Sequence, residues 1–422
     1  MENRIYCCID LKSFFASVEC VERNFDPFKT NLVVADPDRS KGTICLAISP
    51  AMKALGIKNR CRIYEIPKSV EYVIAKPRMK LYMQKSAEIY SIYLRYISPD
   101  DIHVYSIDEC FIELTDYIKI YNKTATGIAK MLINAVFEQT GIRATVGIGT
   151  NLFLTKVALD ITAKHAADFM GFLDEEEFKK QIWHHRPMTD IWGIGKGIQN
   201  RLNRLGIYDL YDLSVADEKI LYKEFGVNAE ILIDHSKGIE PCTMADIKNY
   251  RSNSRSLSNS QILFSDYSVE DAYTVLKEMV DALCLELVEK ELVTNCIFLA
   301  IGYADGTIPS TGGNVTIKEY TSSFSKLMEF FKNFYFKTVR KNCGIRKITI
   351  GFENLLDEKY KTYTLFTDLD EEKKEQSLQK TVLKIKDKFG KNAILKGNSF
   401  RSGATARERN RMIGGHNSGE NE

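Results

Sequence analysis

Apolar and polar positions change their period several times along the chain. The run Ile5-Tyr6-Cys7-Cys8-Ile9 is continuously apolar and predicts a buried strand ending at Asp10. Ser13 then stands where a capping residue is expected, before Phe14, Val18 and Val21 at helical spacing. Residues 32–38 predict a strand entering a turn, and residues 43–49 its partner. A helix is expected from Leu81 to Ile97, closed by Ser98-Pro99-Asp100-Asp101. Ile102 to Leu114 reads as a hairpin or bent strand pair whose bend carries two adjacent acids, Asp108 and Glu109. A helix over 128–141 stopping at Gly141, a strand over 143–150 and a helix from Asn151 to about His165 follow.

Strands alternating with helices up to about residue 172 predict one α/β domain, with 14–80 inserted in it. From 173 to about 240 the signal is helical only. Strands near 255–264, 294–303 and 345–352 and helices near 268–290 and 322–341 predict a separate α+β domain behind the polar linker 248–256. Beyond 357 the pattern is charged and weak, which predicts a flexible tail with one short helix near 371–389.

Composition adds bounds. At 422 residues, two to four domains are expected. With 44% hydrophobic and 27% charged residues the chain is of the ordinary soluble globular type. The net charge of 58 − 56 = +2 gives no global sign of a nucleic-acid partner, so a basic surface has to be local. No signal-peptide stretch or membrane-length apolar window is present, and a cytoplasmic protein is expected. Ten scattered cysteines without a CxxC pair are expected to be reduced thiols, and the six histidines form no zinc-ligand spacing with them.

Four features carry chemistry. Asp10, Asp108 and Glu109 lie at strand ends or at a bend, where one sheet can bring them together. Converging carboxylates repel, so the arrangement makes sense with Mg²⁺, whose hard oxygen ligands are carboxylates and substrate phosphates. The plainer alternative is that such acids only face solvent. Second, Gly193-Ile194-Gly195 permits a tight turn into a helix starting near Gly197, with N–H groups free for a phosphate and Lys196, Arg201 and Arg204 nearby. This matches the helix-hairpin-helix pattern, which grips a DNA backbone without reading sequence; the plainer alternative is a simple turn between helices. Third, Lys156, Asp160 and Lys164 recur every four residues on one helix face; they are a solvated charge face or, at Lys164, a triphosphate contact. Fourth, residues 332–347 hold six Lys/Arg and no acid, interleaved with Phe334, Tyr335 and Phe336, which suits duplex phosphates or a plain exposed helix.

In order and spacing, IDLKSFFASVE (9–19), AMKALGIK (51–58), YSIDECFIEL (105–114), VGIGTNLFLTKVALDITAKH (146–165) and the hairpin at 191–207 resemble a Y-family translesion DNA polymerase of the UmuC-like branch. The resemblance implies a right-hand architecture: palm 1–13 and 81–172, fingers 14–80, helical thumb 173–247, α+β little finger 248–356 and tail 357–422. It implies two Mg²⁺ ions, with Mn²⁺ as a substitute, held by Asp10 and Asp108 jointly, by Glu109 on the primer side and by the Leu11 carbonyl. Phe15 falls at the steric gate against the sugar, with Phe14 beside it, although both also suit the core face of a helix, and Lys164 falls at the family lysine that reaches the triphosphate. Arg346 and Lys347 match residues on the template strand, while Gly193, Gly195 and Lys196 are expected to grip DNA.

Pro50 and Lys53 depart from the Tyr and Arg that many members place on the incoming phosphates; Lys53 offers a point charge in place of a fork. Thr362-Tyr363-Thr364-Leu365-Phe366 resembles a degenerate clamp-binding peptide, with Leu365 and Phe366 as anchors, and QILF (261–264) is a rival placed in a strand. The basic end with Arg401, Arg407, Arg409 and Arg411 suits a DNA or protein contact or a disordered end. Expected partners are primer–template DNA, dNTPs, a sliding clamp and accessory subunits. The principal reading is templated dNTP transfer in error-prone damage bypass. The alternatives are a weakly active DNA-binding accessory protein of polymerase shape and a nucleotide cyclase on a similar palm.

Overall fold

A computed structural model describes residues 4–37, 42–252, 255–364 and 367–419, the His165 side chain excepted. The chain forms two compact units, one running to Tyr250 and rejoined from Asn417, the other from Arg251 to His416.

In the first unit, β1 (Tyr6–Leu11) leads to α1 (Phe14–Val21). Ser13 precedes α1 in the left-handed region (φ 48°) and makes no side-chain cap. The turn is instead tied by Ser17 Oγ, which donates to the Lys12 carbonyl at 2.6 Å. β2 (Leu32–Val34), β3 (Ala47–Ile48), α2 (Pro50–Ala54) and β4 (Val73–Ala75) follow, with β2 central in a three-stranded sheet. Val33, Cys45, Ile48, Met52, Cys61 and Ile66 give this insertion its own small core. α3 (Met79–Tyr93), β5 (Ile102–Val104), β6 (Glu109–Glu113), α4 (Tyr117–Tyr121), α5 (Ala125–Thr140), β7 (Ala144–Gly149), α6 (Leu152–Val157) and β8 (Met170–Leu173) complete the α/β part. Thr124 caps α5 through Gly127 N–H, and Gly141 ends it at φ 69°.

The main sheet runs β5-β6-β1-β7-β8, antiparallel except for β7 with β8. Strand alternation puts Cys7, Ile9, Leu11, Cys110, Ile112, Val146 and Ile148 on the face that α3 and α5 cover. Tyr6, Cys8 and Phe111 point the other way, into a cluster with Leu152 and Leu159. The expected single helix over 151–165 is α6, then a π turn (Ala158–Thr162) and a 3₁₀ turn (Ala163–His165). It lies directly on strand backbone, because a Cβ on Gly147 would stand 2.2 Å from Leu159 N and one on Gly149 2.6 Å from Thr155 N.

Helices α7 (Glu175–Gln181), α8 (Lys196–Arg204), α9 (Leu210–Val215), α10 (Glu218–Phe225), α11 (Asn228–Ser236) and α12 (Met244–Asn249) make up the rest of this unit. The first five close over Phe178, Ile194, Leu202, Leu210, Leu213 and Leu221.

The second unit is an α+β layer: β9 (Leu257–Tyr267), α13 (Val269–Glu289), β10 (Leu292–Tyr303), β11 (Thr311–Thr321), α14 (Phe324–Thr338) and β12 (Ile345–Glu353), in sheet order β11-β10-β12-β9. β11 has no counterpart in the hydropathy pattern, because as an edge strand it buries only Ile317 and Thr321.

The region beyond 357 departs from the expected flexible tail. α15 (Leu369–Phe389) is 21 residues long and held by a buried Glu372, paired with Lys326 and Lys361 at 2.6 Å each. Glu375 accepts from Ser323 Oγ at 2.6 Å and Ser325 N at 2.9 Å, at the start of α14. After it, α16 (Ala406–Arg409) is capped by Glu278, which accepts from Thr405 N–H at 2.8 Å, and Arg409 donates to Gln261 and Asn259. The segment is charged because its charges meet partners on α13, α14 and β9. Among the described residues no helix is long and apolar enough to cross a membrane.

A Gly147→Ala substitution should force α6 off the sheet and destabilise the protein by about 1–3 kcal/mol. Calorimetry would show a lowered first transition; an unchanged one would mean the close approach is not required.

Candidate active site

The acids meet at one end of the main sheet. Asp10 on β1 lies directly opposite Glu109, the first residue of β6, so their side chains leave the same face. Asp108 sits in the bend just before, where its carbonyl accepts from Leu11 N–H at 2.9 Å. Ser106 Oγ donates to Asp108 Oδ1 at 2.7 Å and fixes the carboxylate in the bend, a contact that no sequence motif announced. Tyr105 and Ser106 both donate their N–H groups to the Glu109 carbonyl, which closes the tight corner.

Electrostatics distinguish the acids. Burial, and then the charge of Asp108, push the Asp10 carboxyl from its ordinary value up to about 7. Glu109 is paired with the ammonium of Lys156, and both side chains are almost enclosed, 11% and 9% exposed. Burial alone would lower the Lys156 amine; the hydrogen bond to Glu109 and the charges of Asp160 and Glu109 outweigh it and hold the amine above its usual range. The Cys8 thiol, pushed well up by burial, donates to Glu109 Oε1 at 3.3 Å. Lys164 reaches Asp160 at 2.7 Å.

Among the described residues no group of three His, Cys, Asp or Glu side chains is close enough together to hold a metal ion. The donors nevertheless suit a hard divalent cation. They are carboxylate oxygens, and among the described residues neither Asp10 nor Asp108 makes an ion pair. The protonation that burial and Asp108 favour at Asp10 is the expected response of a buried carboxylate with a like charge beside it and nearby lysines too weakly coupled to offset it.

Phe14 is buried in the main core, whereas Phe15 is half-buried and stacks on Tyr82 with centroids 4.6 Å apart. Tyr82 is in turn fixed by a buried Glu19, which accepts its hydroxyl at 2.7 Å and two bonds from Arg78 at 3.0 and 2.8 Å, and pairs with Arg23. Pro50 is the first residue of α2, capped by Ser49, and Lys53 is exposed on the same helix. Lys12, missed by the sequence reading, lies 4.2 Å over the Phe169 ring; partial burial, then the Lys53 charge, push its amine below the usual range.

Gly193 (φ 89°), Gly195 and Lys196 are exposed at the start of α8, with Gly195 as its N-cap and nothing within 4 Å of a Cβ at either glycine. Ile194 between them is buried and anchors the turn. Arg201 pairs with Glu224 at 2.7 Å and covers Phe225, so it belongs to the helical packing. Trp192 donates to the Tyr105 hydroxyl at 3.2 Å, which ties this turn to the acid-bearing hairpin.

In the second unit, the ladders of β12 to both neighbours slip between Ile345 and Lys347. The slip breaks the alternation, leaving Arg346 and Lys347 outside the core in succession. The expected basic aromatic helix is split: α14 stops at Thr338, and Tyr335 is fully buried with its hydroxyl on the Val269 carbonyl. Gln261 and Leu263 of QILF are buried, as a structural strand requires. Leu365 and Phe366 lie outside the described residues.

Comparison with known proteins decides the family. Residues 9–160 match the impB/mucB/samB family and residues 254–365 its C-terminal domain. The chain is 30% identical to the "Putative UV-damage repair protein UvrX" of Bacillus subtilis (strain 168), over 97% of both chains. The chain belongs to the UmuC-like branch of the Y-family DNA polymerases. It is also 29% identical to "DNA polymerase IV 2" of the same organism over 99% of both chains. The solved structure of a Y-family DNA polymerase chimera, Dbh-Dpo4(243-245)-Dbh, shares its fold with a TM-score of 0.65 at 21% identity, covering 84% of this chain and 99% of that one. The architecture is therefore that of a right-hand polymerase, and the enzyme is a DNA-directed DNA polymerase.

The Glu19 network carries a pH signature. Burial alone would raise the Glu19 carboxyl, but the bonds from Arg78, Tyr82 and Arg23 hold it below its ordinary 4.5. The stability it contributes is complete above that value and is lost as pH falls below it. Glu19→Gln should lower stability at pH 7 by about 1–3 kcal/mol and flatten the acid side of the profile. Urea denaturation at pH 7 and pH 4 measures both; equal loss at the two pH values would refute the assignment.

Proposed function

We propose that this polymerase carries out template-directed, damage-tolerant nucleotidyl transfer of dNTPs with two divalent ions at Asp10, Asp108 and Glu109, within error-prone repair of the SOS type. The observation that supports it most is the placement of Asp10 against Glu109 across β1 and β6, with Asp108 in the adjoining bend. Asp10 and Asp108 would serve both ions, Glu109 the primer-side one and the Leu11 carbonyl the nucleotide-side one. Two such ions, Mg²⁺ or Mn²⁺ in its place, supply activation of the primer 3′-hydroxyl and stabilisation of the leaving oxygen.

The chain's own residues do the rest. Lys164 and Lys53 contact the triphosphate, and Phe15, braced on Tyr82, closes the space a 2′-hydroxyl would need. The primer 3′-oxygen attacks the α-phosphate in line and pyrophosphate leaves. The exposed N–H groups at Gly193 and Gly195, with Lys196, grip the duplex backbone. Arg346 and Lys347 meet the template strand. On this reading residues 1–13 and 81–172 are the palm, 14–80 the fingers, 173–247 the thumb and 248–356 the little finger. Leu365 and Phe366 anchor a sliding clamp, and accessory subunits join it. The name of the UvrX relative as a putative UV-damage repair protein favours damage bypass over bulk replication.

Primer extension on undamaged and abasic templates with Mg²⁺ tests the reading. Wild-type enzyme should extend both, and Asp108→Ala neither. Extension by Asp108→Ala at the wild-type rate would remove the metal assignment. Failure of the wild type on every template would remove the activity. In the same assay Phe15→Ala should admit ribonucleotides; unchanged sugar selection would take Phe15 out of the gate.

A further inference from the structure

Lys156 is engaged by two carboxylates at once. Its ammonium pairs with Glu109 and lies 3.1 Å from Asp160 Oδ2. Asp160 is itself shared, because Lys164 Nζ stands 2.7 Å from its other oxygen. The charges therefore run Glu109, Lys156, Asp160, Lys164 in an unbroken series, with successive partners on the helix four residues apart. The π turn Ala158–Thr162 falls in the middle of it, a distortion that often marks function. Exposure rises outward, from 9% at Lys156 to 21% at Asp160 and 45% at Lys164.

The series has one built-in alternative arrangement. A divalent cation bound by Glu109 would place further positive charge against an enclosed ammonium, where repulsion is strong. Lys156 already touches the carboxylate it can retreat to. Lys156 Nζ also lies 3.3 Å from Asp160 Oδ1, the oxygen that Lys164 holds, so full engagement of Asp160 by Lys156 would compete with Lys164, the outermost member, for its present partner.

We propose that Lys156 is a positioning residue that occupies Glu109 until a divalent cation replaces it and that, by moving onto Asp160, it releases Lys164 toward the incoming triphosphate. The inference rests on the reading of the acid trio as cation ligands and of Lys164 as a phosphate contact. Linkage makes the coupling reciprocal: what frees Lys164 also favours the cation.

Two measurements on the full chain, without DNA or nucleotide, test it. In Mn²⁺ titrations followed by electron paramagnetic resonance, Lys156→Gln should bind Mn²⁺ roughly fivefold more tightly, the scale of one ion pair removed. Asp160→Asn, which removes the retreat, should bind it more weakly than wild type, and should have no effect in the Lys156→Gln background. Asp108→Ala is the control for the underlying reading: unchanged Mn²⁺ binding there overturns the metal assignment itself. Lost binding in Asp108→Ala, with Lys156→Gln and Asp160→Asn like wild type, overturns the relay alone.

The decisive arm of the second readout uses the wild type alone. In wild type, acylation of Lys164 by an amine-reactive ester, quantified by mass spectrometry, should rise when Mn²⁺ is added. In Lys156→Gln it should stay at the metal-free level, and in Asp160→Asn it should be high throughout. Reactivity at Lys164 that ignores Mn²⁺ in the wild type overturns the proposal.

Discussion

The ion pair between Lys156 and Glu109 is the contact on which the rest of the site depends. Three acids at one sheet end cannot all stay charged without a neighbouring cation, and this pair satisfies one of them inside the protein. For Lys156 to reach Glu109, α6 must lie against strand backbone. The bare Gly147 and Gly149 of β7 allow that, since any Cβ there would collide with the main chain of Leu159 or Thr155. Glycine in the central sheet, a helix pressed onto it and a neutralised carboxylate thus form one causal sequence. Asp10 receives no such partner among the described residues, and its carboxyl is pushed up accordingly.

Much of this was legible in the sequence because strands with two-residue alternation and strand ends carrying acids leave a local signature. The apolar run before Asp10, the hairpin bend at Asp108 and Glu109 and the glycine turn at 193–195 lie where hydropathy placed them. What escaped depends on contacts distant in sequence. Ser106 orients Asp108 through a side chain that reads as an ordinary turn residue, and Lys156 reads as one lysine of a solvated face. Phe14 and Phe15 are adjacent and chemically alike, yet one is core and the other is half-buried against Tyr82, because consecutive helix positions face different ways.

The same limit explains the C-terminal region. Charged residues without apolar periodicity predict disorder, but Glu372, Glu375 and Arg409 are complements to lysines, serines and amides on earlier elements. Pairing of this kind carries no local pattern. Pro50, which stands where the family resemblance expects a tyrosine, is also accounted for locally: it opens α2 behind its Ser49 cap, where a missing N–H costs nothing. Positive charge near Asp10 comes from the lysines at 12, 53, 156 and 164, point charges where a guanidinium fork would impose geometry.

On the proposed reading, the carboxylates of Asp10 and Asp108 form a divalent-cation site on which nucleotide addition depends. The most direct measurement is single-turnover dNTP incorporation as a function of Mg²⁺ concentration, comparing wild type with the isosteric Asp10→Asn. Such a site requires a saturable Mg²⁺ dependence in the wild type and incorporation at background in Asp10→Asn at every Mg²⁺ concentration. Wild-type-like turnover by Asp10→Asn, with the same Mg²⁺ dependence, would contradict it.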